Sequence, residues 1–333
     1  MTNSKNILKY FQHFSQILLI FYPLFTVLKN VYDIIRLMKK LFIVLGMIAG
    51  VVVGFGLAIL IINLINTANI NDSDEPAEVI EATEVREHEI NLSNYNTNIA
   101  LTEAGEYQLY GDFTHLIKID LPTEEDTEAK LQVTLFLNNV NIASDTTAIK
   151  SIHPSDITLI TPIKTVNTIT STADTVIDTV GHLAIDGEGI LTVQNHQADT
   201  GRGVAVLANN MGIYGGEVVL IGGATSTGAG VSTRDKYWIK GGDVTILGTD
   251  MLEAPVSNDA LLPDIKPRSA SFSLRQIYPA GSVIKVCSDD GIKVATYTAP
   301  ASFRTVVISN ELITPGEYTL YIDNNEIKTT EVK

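Results

Sequence analysis

Between residues 140 and 245 a short apolar motif returns at a nearly fixed interval, and this repeat limits the possible folds more than any other feature. Ile149, Ile177, Val204 and Val231 each close a small or polar stretch, and they stand 28, 27 and 27 residues apart. A second series runs in step: Ile185 in Leu-Ala-Ile-Asp-Gly, Ile213 in Met-Gly-Ile-Tyr-Gly-Gly, and Ile239 in Tyr-Trp-Ile-Lys-Gly-Gly, separated by 28 and 26 residues. A single repeat of this length cannot bury its own apolar side, so copies must stack into a solenoid. The repeats are rich in Thr, Ile, Val and Gly and show no helical periodicity, which predicts a solenoid of β-strands.

Side chains alternate along a strand, so parity assigns the two surfaces. Leu183, Ile185, Ile213, Tyr237 and Ile239 are expected inside, and Asp186, Tyr214, Trp238 and Lys240 outside. Glycines at 187, 189, 215, 216, 241 and 242 are expected to mark corners where the backbone bends tightly. Ahead of the repeats, residues 99–110 alternate around Gly105 as a hairpin would, and residues 131–137 read as a buried strand turned by Asn138 and Asn139. Behind them, Pro255, Pro263 and Pro267 mark a crossing segment. Strands at 283–287 and 292–298 then flank the turn signal Ser-Asp-Asp-Gly, and two more follow at 306–309 and 318–322. This last part is expected to cap the open end of the solenoid, whose strand edges would otherwise be unpaired.

The amino-terminal region is of another kind. Leu41 to Ile62 is a run of 22 uncharged residues, longer than the roughly 20 that cross a bilayer as a helix. Lys39 and Lys40 precede it, while Asp72, Asp74, Glu75, Glu78, Glu81 and Glu84 follow before the first basic residue, Arg86. That asymmetry predicts a single-pass anchor with a cytoplasmic amino terminus and an extracytoplasmic remainder at the cell membrane. A cleaved signal peptide fits less well, because the apolar run is long and no Ala-x-Ala site follows. Met38-Lys39-Lys40 reads as the start of an anchored protein, which makes residues 1–37 an upstream extension of the reading frame. Gly46, Gly50 and Gly54 share one helix face and would let two spans approach as a homodimer, although glycine is common in membrane helices in any case.

The domain plan is therefore 1–40 cytoplasmic, 41–62 transmembrane, 63–92 acidic linker, 93–252 parallel β-helix and 253–333 carboxy-terminal β module. The first 66 residues carry six basic and one acidic side chain, which leaves 17 basic and 37 acidic for the rest, a net charge of −20. A surface that acidic argues against nucleic acid as a partner. The single cysteine, Cys287, excludes an intrachain disulfide and reads as a small apolar core residue.

Several motifs together carry a family resemblance. Thr102-Glu-Ala-Gly-Glu-Tyr-Gln-Leu-Tyr-Gly111, Leu135-Phe-Leu-Asn-Asn-Val-Asn-Ile142, Thr165-Val-Asn-Thr-Ile169 and Ile185-Asp-Gly-Glu-Gly-Ile-Leu-Thr-Val193 occur in order, followed by Tyr278-Pro-Ala-Gly-Ser-Val283 and Thr298-Ala-Pro-Ala-Ser-Phe303. From about residue 95 to 323 the chain resembles a bacterial family of carbohydrate-binding right-handed parallel β-helices, of the type that binds cellulose or acidic polysaccharides. The resemblance implies a surface-anchored polysaccharide-binding protein with calcium along the helix. The family's rungs often place Asp-Asp-Gly-Ile at a corner, where carboxylates ligate calcium. Here the matching positions read Thr200-Gly-Arg-Gly-Val204 and Thr227-Gly-Ala-Gly-Val231, without the acids. Asp178 and Asp199 are the nearest substitutes, and both are also ordinary turn carboxylates.

Candidate sugar contacts are Trp238 and Tyr214, whose flat amphipathic rings suit a sugar face, with Lys240 and Arg202 as charged partners. Trp238 is equally well read as packed beneath the carboxy-terminal module. A lyase or hydrolase on the same fold is less well supported: no carboxylate pair stands on the rungs, Asp289 and Asp290 fall on a hairpin turn, and His182 reads as a corner residue. A structural or adhesive surface module is the third reading, favoured by the missing acidic corners.

Overall fold

The computed structural model describes residues 78–80, 88–122, 131–198, 201–250, 255 and 269–332, within a compact unit spanning Glu75–Lys333. The expected span 41–62, its glycine face, the segment 1–40 and Asp199 lie outside the described residues. Among the described residues no helix is long and apolar enough to cross a membrane.

Short parallel strands wind into a three-faced solenoid. Early strands are β1 (Glu78–Ile80), β2 (His88–Asn91), β3 (Ile99–Leu101), β4 (Gly105–Phe113), β5 (Ile117–Ile119) and β6 (Gln132–Ser144). Next come β7 (Ile149–Ser151), β8 (Asp156–Thr161), β9 (Val166–Ser171), β10 (Thr175–Asp178), β11 (His182–Gly187) and β12 (Ile190–Asn195). The last turns hold β13 (Val204–Ile213), β14 (Glu217–Ile221), β15 (Ala229–Ile239) and β16 (Asp243–Gly248). The first face stacks β1, β3, β5, β7, β10 and the leading halves of β13 and β15. On the second lie β2, the leading parts of β4 and β6, then β8, β11 and the trailing halves of β13 and β15. The third takes the ends of β4 and β6, then β9, β12, β14 and β16.

Alternation of Ile with Thr explains why each strand has one buried side. In β8 the sequence Asp-Ile-Thr-Leu-Ile-Thr buries every second residue. The inward residues then align from turn to turn: Leu159, Ile185, Ile213 and Ile239 are register partners, as are Ile157, Leu183, Met211 and Tyr237, and all are buried. A one-residue slip would turn every one of them outward, so this core fixes the register. The second repeat series is therefore confirmed, whereas the first needs one correction. Ile149, Ile177, Val206 and Val231 are the true partners; Val204 pairs with Thr175 and Ala229. A two-residue shift keeps parity, so Val204 is buried all the same and pattern alone does not separate the two.

Two further expectations change. Residues 99–110 do not form a hairpin: β3 and β4 lie on different faces, and each pairs in parallel with the next turn. The linker expected through residue 92 stops earlier, because β2 already lies on the second face and Leu92 is fully buried. The 3-10 turn Leu92–Asn94 closes the start of the third face, where Ser93 Oγ accepts from Asp112 N at 2.9 Å.

Corners follow local chemistry. Gly187, Gly216 and Gly242 turn from the second face to the third with positive φ, and a Cβ on Gly187 would sit 2.1 Å from the Thr161 carbonyl. Asn139, at φ 57°, makes the equivalent turn inside β6, and its Oδ1 accepts from Val166 N. Asn167 is fully buried and ties three turns together: Oδ1 accepts from Val140 N at 2.9 Å, while Nδ2 donates to Ile190 O at 3.2 Å and Thr165 Oγ1 at 3.0 Å.

The carboxy-terminal part comprises β17 (Ser269–Tyr278), β18 (Val283–Ser288), β19 (Lys293–Thr298), β20 (Phe303–Ser309), β21 (Gly316–Ile322) and β22 (Asn325–Val332). As expected, it caps the solenoid. Strand β20 pairs antiparallel with β16, β17 pairs with β20, and β19, β18, β21 and β22 form a separate antiparallel sheet. Val307 joins the solenoid core while Phe272, Phe303, Val306 and Ile308 build the module's own core. Cys287, on β18, is free and buried.

Candidate functional site

Outward residues on the second face also align in rows, one turn above the next at the ~4.8 Å spacing of paired strands. One row runs Thr134, Thr158, Ala184, Gly212, Trp238. Beside it, Gln108, Phe136, Ile160 and Asp186 form another, which Tyr214 and Lys240 continue at the ends of β13 and β15. A third contains His182, Asn210 and Lys236. The result is a flat polar and aromatic surface held rigid by the core beneath it.

At its carboxy-terminal end the rows converge. Gly212 has no side chain, and a Cβ there would stand 2.7 Å from Trp238 Nε1 and 2.7 Å from Tyr214 Cε2. The indole occupies that space. It stacks on the His182 ring at 5.3 Å between centroids and 13° between planes, and Nε1 donates to Tyr214 Oη at 3.2 Å. Lys240 Nζ stands 5.6 Å from the Tyr214 ring centroid. Beside this group, Asn210 Oδ1 is buried and accepts no hydrogen bond.

The structure thus brings Trp238, Tyr214 and Lys240 together, with one correction. Trp238 has outward parity but is only 7% exposed, so it braces the cluster and Tyr214, half-buried, presents the ring. His182 and Tyr214 both lie against the indole. His182 belongs to strand β11 and not to a corner. Neither Gly212 nor Asn210 was signalled by the sequence, because each matters only through the residue one turn away.

Arg202 lies elsewhere, exposed on the turn before β13, where its N–H donates to Asp174 Oδ1 at 3.2 Å. It is one of three cations near Asp178. Burial pushes the Asp178 carboxyl above its ordinary range, although Lys150, Arg234 and Arg202 act against that. Arg234 Nη2 comes to 3.9 Å from Asp178 Oδ1, and Nη1 donates to Asn209 Oδ1 at 2.9 Å and Thr179 O at 3.2 Å. Calcium needs six to eight oxygens. Asp178 is instead ringed by positive side chains, and among the described residues no three His, Cys, Asp or Glu side chains gather to hold a metal. The residues around Asp178 therefore do not fit the calcium site that the resemblance implies.

Asp290 is committed to its own turn, accepting from the Ser288 hydroxyl and from Ile292 N, and Asp289 Oδ1 accepts from Asp290 N at 2.9 Å.

A family model described as carbohydrate-binding domain-containing protein matches residues 95–266, which takes in the second face from β4 onward and the whole aromatic cluster. No curated protein and no solved structure matches the chain.

Proposed function

The chain belongs to the carbohydrate-binding domain-containing protein family, and from that premise we propose that it holds polysaccharide on the second face without altering it chemically. The observation that carries this reading is the Tyr214 ring, braced from behind by Trp238 and flanked by Lys240. A pre-positioned aromatic loses little freedom on meeting a sugar face. Flat rows along the solenoid axis, Thr134 and Thr158 in one and Phe136 and Ile160 in the next, suit an extended chain. Lys236 and Lys240 on this face supply donors for sugar hydroxyls. The apolar run 41–62 supports a single-pass anchor, with the solenoid outside the cytoplasm.

A glycan array probed with the detergent-solubilised full-length chain tests this, run with calcium and again with chelator. The expected result is binding indifferent to chelator and weakened about tenfold by Tyr214→Ala, the loss of one ring contact worth about 1.4 kcal/mol. Binding to no glycan, or equal binding by the variant, would leave a structural surface module instead.

A further inference from the structure

Four successive turns enter the second face on a polar outward residue. His182 and Asn210 are register partners, as are Asn210 and Lys236, and Asp156 stands one residue before Ile157, the partner of Leu183. The row Asp156, His182, Asn210, Lys236 therefore climbs the wall at the ~4.8 Å spacing of paired strands, all four side chains half-buried. It has a carboxylate at one end and an ammonium at the other. Arg234 stands beside it, held by Asn209, and the exposed Asp235 adjoins Lys236.

Two observations single out His182. Its imidazole stacks on the Trp238 indole, whose Nε1 in turn donates to Tyr214 Oη. What fixes the imidazole thus fixes the ring that meets the ligand. The second is Asn210 Oδ1, a buried acceptor without a donor. Such an orphan is destabilising, and its burial means that the missing donor has to come from the protein itself. His182 is the row's nearest candidate on the preceding turn. Neutral imidazole carries one N–H and imidazolium carries two. Set between the Asp156 carboxylate and the Asn210 amide oxygen, the ring serves both acceptors only when protonated. The added charge also lies over the indole, where the ring quadrupole attracts it.

We propose that His182 is a positioning residue whose protonation locks the Trp238–Tyr214 brace, so that the second face holds glycan more tightly in mildly acidic than in mildly alkaline conditions. The effect on glycan rests on the carbohydrate-binding reading of this face. Protonated, His182 donates to Asn210 Oδ1 and toward Asp156, and its charge grips the indole. Deprotonated, it leaves one acceptor orphaned and loses the cation–π attraction. The indole then spends part of its time away from Tyr214, and only the braced fraction is competent to bind. Asp156 favours the added charge, while Lys236, two turns away, and Arg234 oppose it.

The lone tryptophan makes the contact visible without any ligand. Emission of the full-length chain in detergent should change in a single step between about pH 8 and pH 5, where imidazole takes up its proton. His182→Phe keeps a ring against the indole but accepts no proton, and should abolish that step. Asn210→Ala removes one acceptor of the imidazolium and should move the midpoint down by about one pH unit. On the glycan array, confined to uncharged sugars so that no ligand titrates, the parent should bind at least about threefold more tightly at pH ~5.5 than at pH ~8. His182→Phe should bind equally at both. The proposal is overturned by flat parental emission, by a His182→Phe chain that titrates as the parent does, or by an unmoved midpoint in Asn210→Ala. Emission that titrates through His182 beside glycan binding that ignores pH overturns the coupling to the ligand. Emission that titrates in a chain binding no glycan overturns the proposed function and leaves the His182 switch standing.

Discussion

The second and third faces of the solenoid are made by the same turns of chain, one corner apart, yet their outer surfaces differ in almost every respect. Around Trp238 the second face gathers His182, Tyr214, Lys236 and Lys240 into a packed aromatic and basic group. Across the glycine corner, the third face carries the exposed carboxylates Glu188, Glu217 and Asp243. Inside, the two faces are alike: buried rows in which Ile, Leu and Val predominate. The contrast separates what the repeat must keep from what it is free to vary. Inward residues have to stack on their copies one turn away. Outward ones answer only to the ligand or to neighbouring side chains, so one scaffold can carry two chemistries.

The largest effect expected tests whether the two surfaces really share one scaffold. Asn167→Ala removes the partner of Val140 N and Ile190 O, both within the solenoid wall. Each orphaned buried group costs about 1–3 kcal/mol, so denaturant unfolding should show a loss of about 2–5 kcal/mol in a single cooperative transition. Two separated transitions would break the comparison, because the faces would then be independent units.

A smaller and more selective change sharpens it. Gly212→Ala puts a Cβ where the indole lies, so the Trp238 ring must leave His182 and Tyr214. Glycan binding on the second face should fall by about tenfold, the scale of one aromatic contact. Trp238 is the only tryptophan, so its fluorescence reports the displacement directly. An unchanged emission spectrum combined with unchanged binding would remove Trp238 from the site.

Smallest is the effect at Asp178, where burial outweighs Lys150, Arg234 and Arg202 and raises the carboxyl. The folded state holds that proton more tightly than the unfolded chain does. Stability therefore falls as pH rises from the ordinary carboxylate value through the raised one. Asp178→Asn should flatten that decline and raise the neutral-pH Tm slightly, with or without calcium. A variant less stable than the parent only when calcium is present would return Asp178 to a metal site.

How far these features were legible beforehand depended on whether they lived within one turn or between turns. Ile185, Ile213 and Ile239 declared both the solenoid and their own register, because an inward residue repeats at the period of the turn. The same logic misplaced Val204 by two residues, since parity survives such a shift and only pairing with Thr175 and Ala229 distinguishes it. Residues 99–110 looked like a hairpin because alternation around a glycine is common to a hairpin turn and to a solenoid corner. Trp238, Tyr214 and Lys240 were found as outward residues of the right type. That Trp238 braces rather than presents depended on Gly212, one turn earlier in the chain and therefore silent in any local pattern.

By itself the sequence determined an all-β solenoid with its inward residues, its glycine corners and a capping module, because burial of a repeating apolar stripe leaves few other packings. Only the tertiary structure decided that the wall has three faces, that the indole lies over Gly212, and that Asp178 sits among cations. Those relations join residues about one turn or more apart along the chain. They are set by the stacking of one turn on the next, which no local spacing encodes.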